Sequence, residues 1–143
     1  MVTAADLLQQ KKSPAIHAIE PESPVLEAVR LMAEHGIGAL LVMNGTLLAG
    51  IVSERDYARK VVLLGRSSSE TPVWQIMSSP VHSVEPDATV QQCMQIVTEK
   101  RVRHLPVMRA GRVLGVLSIG DLVRAVLEEQ QRTIEQLEHY IHG

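Results

Sequence analysis

Two stretches of the chain carry the same polar signature. GIVSERDYARKV, from Gly50 to Val61, and GVLSIGDLVRAV, from Gly115 to Val126, share a glycine, a serine and an aspartate at identical spacing. In each, the serine (Ser53, Ser118) closes an apolar run, and the aspartate (Asp56, Asp121) follows three residues later, in the first turn of an expected helix. A serine oxygen can accept from the exposed amides of that turn and a carboxylate suits the positive helix end, so a capping box is the plain reading. The same pair also suits a ligand. A helix N-terminus attracts anions, and a carboxylate beside it can accept both hydroxyls of a ribose while backbone amides and a nearby cation take a phosphate. Arg55 is one such cation; it either forks onto phosphate or is a solvated residue paired with Glu54 or Asp56. The second copy has Ile119 and Gly120 where the first has Glu54 and Arg55, which makes the two sites unequal.

The remaining polar residues admit plainer readings. His104 follows Arg103 at the start of an apolar run, where a satisfied structural histidine competes with a phosphate or base contact. His17 and His82 occupy matched positions and read as packing at the interface between the copies. Cys93, the single cysteine, lies among Val90, Met94 and Val97 at helical spacing and reads as a buried small residue. GRSSSETP is a polar linker rather than a phosphate loop, because no strand feeds it and no Gly-Lys-Ser/Thr follows. Glu135, Glu138, His139 and His142 share one side of a C-terminal helix and could ligate a divalent metal, yet a solvated face is the simpler account, so no metal is assigned. A nucleophile with its base, HExxH and GxSxG are all missing as motifs, which argues against an enzyme and against a catalytic cofactor.

The elements that position these residues come from an internal repeat. Sliding the chain on itself by 65 positions aligns Ile16 to Val61 with Val81 to Val126 without a gap, pairing His17 with His82, Pro21 with Pro86, Gly50 with Gly115, Ser53 with Ser118 and Asp56 with Asp121. Each copy reads strand, helix, strand, strand, helix. In the second, VHSVEP precedes a helix opened by Thr89, then HLPVM and VLGVLS flank a turn at Ala110 and Gly111, and IGDLVRAVLEE closes the copy. The first copy repeats this with a turn at Asn44 and Gly45 and a closing helix ERDYARKVVLLG. The fold class is therefore α/β in the α+β sense, with two β-α-β-β-α repeats sharing a core about a pseudo-twofold axis. The expected divisions are a lead helix with repeat 1 over 1–64, a linker over 65–72, repeat 2 over 73–127 and an amphipathic helix over 128–143. Thr71 and Pro72 read as the cap and first residue of a short helix VWQIM.

Composition narrows the partners. The 143 residues are 45% hydrophobic with a net charge of −2, which offers no field for phosphate backbones, and aromatics are only 2%, so nucleic acid is not an expected partner. The longest apolar stretch, Ala39 to Met43, is far too short to span a bilayer, and MVTAADLLQQKKSP does not resemble a signal peptide; a cytoplasmic location and no membrane partner are expected. Leu127, Ile134, Leu137 and Ile141 recur at coiled-coil spacing along the tail, which suits docking on another helix and makes a homodimer the expected assembly.

The doubled Gly-apolar-apolar-Ser-x-x-Asp signature, the repeat layout and RHLPV closely resemble the cystathionine β-synthase (CBS) domain, and the tandem arrangement resembles a stand-alone Bateman module. The resemblance covers Ile16 to Val126. It implies a regulatory module that binds an adenine nucleotide or related adenosyl ligand in the cleft between the repeats, with AMP, ATP and NAD(H) foremost and S-adenosylmethionine or a cyclic dinucleotide as further possibilities, and that passes the ligand state to an unknown protein target. By that resemblance Asp56 and Asp121 hold the ribose hydroxyls and Ser53 and Ser118 face ribose or phosphate. Adenine lies against Ile16 and His17 in one site and Val81 and His82 in the other. Gly38, Ala39 and Leu40 complete the first pocket, and Arg103, His104, Leu105 and Pro106 the second. A module of the same build that binds no ligand and serves only protein interaction is the alternative.

Overall fold

The computed structural model describes residues 1–11 and 16–142. These divide into two compact units, one spanning 15–81 and the other joining 1–14 to 82–143. In the first, β1 (Ala18–Ile19) runs parallel to β2 (Ala39–Asn44), which pairs antiparallel with β3 (Leu47–Ser53), and α2 (Val25–His35) lies between β1 and β2 in sequence. The second repeats the plan except at its start, where the strand expected over VHSVEP is reduced to a single bridge and the sheet has two strands. Val84 forms a parallel bridge to Val107 of β4 (His104–Arg109), β4 pairs with β5 (Arg112–Ser118), and α4 (Val90–Lys100) precedes β4.

Local chemistry accounts for the boundaries. The hydroxyl of Thr89 accepts from the Gln92 amide and the Gln92 side chain accepts from the Thr89 amide, so α4 begins with both halves of a capping box. Gly36 ends α2 in the left-handed region at φ 63°, and the matched residue Arg101 ends α4 there at φ 54°, where a side chain bears the strain that glycine avoids. The second hairpin turns through Ala110 and Gly111, both at positive φ, as a two-residue type I′ connection requires.

Each unit has its own apolar core. Ile19, Val25, Met32, Leu40, Val42 and Val52 are buried in the first, and Val90, Cys93, Val97, Leu105, Val107 and Leu117 in the second. Neither core is completed by its own repeat. The second is closed by α1 (Ala4–Gln10), which buries Ala4 and Leu7, so the lead helix that chain order places beside repeat 1 packs with repeat 2. The first is closed by Val73 and Ile76, where a single 3-10 turn (Val73–Gln75) follows Pro72; Pro72, rather than Thr71, takes the capping position. The two closures are equivalent. The Val25 amide donates to the Thr71 carbonyl and the Val90 amide to the Val2 carbonyl, while Met77 covers Gly50 and Leu8 covers Gly115. A Cβ on Gly50 would lie 2.7 Å from Met77 Sδ, and one on Gly115 would lie 2.6 Å from Leu8 Cδ2, so the signature glycine exists to let these segments approach.

The closing helices depart from expectation in both units. The segment after Ser53 is one α turn, α3 (Glu54–Tyr57), that widens into a π-helical stretch from Ala58 to Val62. Its counterpart, α5, runs unbroken from Ile119 to His142, so the closing helix and the expected separate tail helix are one element of 24 residues. Among the described residues, no helix is long and apolar enough to cross a membrane.

If α1 is part of the second core, Leu7→Ala should cost about 2–5 kcal/mol, the usual range for a buried leucine. Hydrogen exchange followed residue by residue should show protection lost across α4, β4 and β5 while β2 and β3 keep theirs. Equal loss in both units would mean that α1 does not belong to one core.

Candidate functional site

In the first unit, the starts of β1 and β2 and the end of β3 meet at one sheet edge, since β1 is parallel and β3 antiparallel to β2. Gly38, Ala39 and Leu40 thereby come beside Ser53, whose register partner is Ala39, and the Gly38 carbonyl accepts from the Glu54 amide at 3.0 Å. Ile16 and His17 lead into the same edge, where the His17 carbonyl accepts from the Leu41 amide. The His17 ring stacks on His35 of α2 at 4.0 Å, so its packing partner lies within its own unit. Leu40 is fully buried and offers that edge only its main chain.

Ser53 and Asp56 form a complete capping box. Asp56 Oδ2 accepts from the Ser53 amide and hydroxyl, both at 3.0 Å, and the Asp56 amide donates back to Ser53 Oγ at 3.1 Å. The cation on this carboxylate is Lys60, one helical turn later, with Nζ 3.2 Å from Oδ1 and donating to the Ile76 carbonyl. Arg55, weighed from sequence as a partner of Glu54 or Asp56, is exposed and makes no ion pair among the described residues. Both oxygens of Asp56 are therefore engaged.

The second unit brings the matched residues together differently. His104 pairs with Ser118 across β4 and β5, and the Arg103 carbonyl accepts from the Ile119 amide at the start of α5. Asp121 Oδ2 accepts from the Ser118 amide at 2.8 Å, and Ser118 Oγ accepts from the Asp121 amide at 3.1 Å. Lys11, just past α1, places Nζ 3.0 Å from the same Oδ2 and donates to the Val116 carbonyl at 2.8 Å. Among the described residues, Asp121 Oδ1 has no hydrogen-bond or ion-pair partner, and the Ser118 side chain adds to the contacts that favour the ionised carboxylate. Leu105 and Pro106 are buried, and the Pro106 carbonyl is taken by the Val84 amide, so neither presents a side chain or a free acceptor. His82 is exposed two residues before Val84, whereas Val81 closes the span of the first unit.

Lys11 and Lys60 escaped the sequence reading because they sit at unmatched positions of the repeat. Each nevertheless neutralises its aspartate and ties it to a core-closing segment. Lys11 is anchored at the end of α1, and Lys60 bonds to the residue that follows the 3-10 turn. The electrostatics around His104 follow from this placement. Burial foremost, then the nearby Lys11 and Arg103 charges, push its imidazole below the ordinary 6.5, against the opposing pull of Asp121. Burial raises the Asp121 carboxyl, but the Ser118 amide and the Lys11 ammonium outweigh it and hold the group below the usual carboxylate value. Cys93 is fully buried and burial pushes its thiol upward, as suits a packing residue.

Two small sheets, each backed by helices and each ending in a Ser-x-x-Asp cap beside a lysine, define a tandem-repeat module of mixed α/β class. The family model for the CBS domain matches twice, over residues 5–63 and 73–128, and the chain belongs to the CBS-domain family as a tandem pair. Among solved structures, a protein with CBS domains from Burkholderia ambifaria, whose name proposes a role in signal transduction, is 49% identical at a TM-score of 0.86, covering 90% of this chain and 96% of that one. A CBS-domain-containing protein from Agrobacterium tumefaciens is 34% identical at 0.81, covering 87% and 98%. The CBS domain-containing protein CBSX3, mitochondrial, of Arabidopsis thaliana is 41% identical over 85% of this chain, which spans 62% of the plant protein's length.

Because His104 prefers to stay neutral in the fold, the unfolded chain binds the extra proton first. Stability should therefore fall as pH drops from the ordinary imidazole value of 6.5 toward the lower folded value, and be intact above it. Urea midpoints for wild type and His104→Gln, measured from about pH 7.5 down to about pH 5.5, check this. The variant should lose the part of the slope that His104 supplies, and parallel slopes would remove His104 as its source.

Proposed function

We propose that this CBS pair is a cytoplasmic homodimer that binds an adenine nucleotide at its Ser-Asp sheet edges and signals that occupancy to a protein target. Its role is regulatory rather than catalytic. AMP, ATP and NAD(H) are the foremost ligands. The observation that carries the reading is the unequal state of the two carboxylates: Asp56 has both oxygens engaged, while Asp121 keeps Oδ1 without a partner among the described residues. A carboxylate oxygen and a hydroxyl at the start of a long helix suit the vicinal hydroxyls of a ribose. Gly120 has only Ser118 Oγ near its would-be Cβ, leaving room for close approach, and Lys11 stands within reach of an anion. Repeat 2 is thus the principal site. Arg55, exposed and unpaired among the described residues, is the phosphate contact of repeat 1.

One observation favours the plainer alternative, an interaction module that binds no ligand. Every hydrogen bond of the two boxes is accounted for by helix capping alone. Calorimetric titration separates the readings. Asp121→Asn keeps the shape of the cap and should weaken AMP binding by about 1.5–3 kcal/mol, and deoxyadenosine analogues should lose a similar amount on wild type. A panel of AMP, ATP and NAD that neither binds nor raises the melting temperature would leave capping as the whole role of the motif.

Arg55→Ala provides an independent check at the first repeat. It should cost AMP or ATP about 1.5–3 kcal/mol at that site while adenosine binds nearly as before. Equal losses for adenosine and AMP would mean that Arg55 shapes the pocket without contacting phosphate.

A further inference from the structure

The first turns of α5 bury Leu122 and Ala125 in the second core, and from Gln130 onward every described residue of the helix is exposed. Along the side away from that core run Val123, Leu127, Ile134, Leu137 and Ile141, each at least 42% exposed. With Gln130 they occupy alternate three- and four-residue steps, which is a coiled-coil seam without a partner in the chain. Five large apolar side chains on one stripe are too costly to leave in water.

The charges flanking the seam identify what covers it. Arg124 stands near its start and Glu138 near its end, on the same flank, and neither makes an ion pair among the described residues. They are about 21 Å apart along the axis, so they cannot meet within one helix or between parallel copies in register. In a parallel pair the flanking contacts would join Thr133 to Glu138 of the partner subunit and Val126 to Gln131 of the partner subunit, with no opposite charges. Reversing the second helix makes the pattern self-complementary. Leu127 then faces Leu137 of the partner subunit, Val123 faces Ile141 of the partner subunit, and Arg124 meets Glu138 of the partner subunit twice about one twofold axis. A shallow groove of about 430 Å³ beside α5, lined by Gln91, Val126, Glu129, Gln130, Thr133 and Ile134, then lies under the partner's exposed half-helix. Val126 in that groove takes Tyr140 of the partner subunit, a ring that is 87% exposed in the single chain.

We propose that α5 is the dimerisation arm of this protein and that it pairs antiparallel with α5 of a second copy, Arg124 against Glu138 setting the direction. The inference rests on the homodimer reading and is independent of nucleotide binding. Self-complementarity about a twofold axis is what an isologous contact between identical chains requires, and it is not a property expected of a surface made for an unrelated helix.

Charge reversal tests it on the full chain. R124E and E138R each place like charges opposite one another twice per dimer, and each should weaken the dimer about tenfold by analytical ultracentrifugation, with unchanged far-UV circular dichroism. The double variant R124E/E138R restores both pairs and should return to within about threefold of wild type. A second measurement reads direction directly: T133C, near the twofold axis, should crosslink between subunits with a short bismaleimide, whereas L137C should not, and the native Cys93 is buried beyond reach. Failure of the double variant to recover, or crosslinking through L137C, overturns the antiparallel pairing while leaving the dimer standing. Singles that dimerise like wild type remove α5 from the interface, and a wild type that stays monomeric at every concentration removes the homodimer reading together with the pairing.

Discussion

Each repeat builds a sheet of two or three short strands backed by its two helical segments, which leaves its core open on one side. What closes each core is a short segment laid over a glycine: Leu8 over Gly115 in one unit and Met77 over Gly50 in the other. Everything else depends on that contact. A side chain at Gly50 would also press on the Ser78 carbonyl at 2.9 Å and hold the segment's backbone off, whereas one at Gly115 would meet only the Leu8 side chain, which must turn aside. The glycine of the signature is therefore a packing residue, although it stands three positions from the serine that reads as chemistry.

The closing segments also govern the electrostatics of the candidate sites. Lys11 follows α1 directly, so docking α1 delivers an ammonium to Asp121; Lys60 reaches Asp56 while bonded to the carbonyl of Ile76, itself a core-closing residue. In both units the carboxylate that caps the last helix is tied by a lysine to the segment that seals the core. Helix start, sheet edge and core closure are thus joined through one side chain in each unit. In the second unit the half-buried His104, register partner of Ser118, also feels the Lys11 and Asp121 charges.

The two units share a plan and diverge in their last helix. After Ser53 the chain makes one α turn and a π-helical stretch, leaving Val62, Leu63 and Leu64 exposed. After Ser118 it continues for 24 residues, well past the core it caps. The same signature therefore opens a short plug in one copy and an extended arm in the other.

By itself the sequence determined the repeat, the helix and hairpin that each copy contributes, the capping boxes at Ser53 and Ser118, the buried role of Cys93 and the family, because these rest on local periodicity and on identities held in register over 46 positions. Tertiary structure alone decided where α1 packs. Ala4, Leu7 and Leu8 match Val73, Ile76 and Met77 at an offset of 69, outside the register of 65, and a seven-residue helix has too little pattern to announce its partner. It also decided which cation holds each aspartate. Arg55 is the neighbour in sequence, but a helix start points it to solvent, while Lys60 one turn later and Lys11, more than a hundred residues earlier in the chain, arrive by folding. The π-helical widening after Tyr57 likewise left no mark on the pattern, since shifting a hydrogen bond by one residue alters backbone geometry without requiring a different apolar spacing.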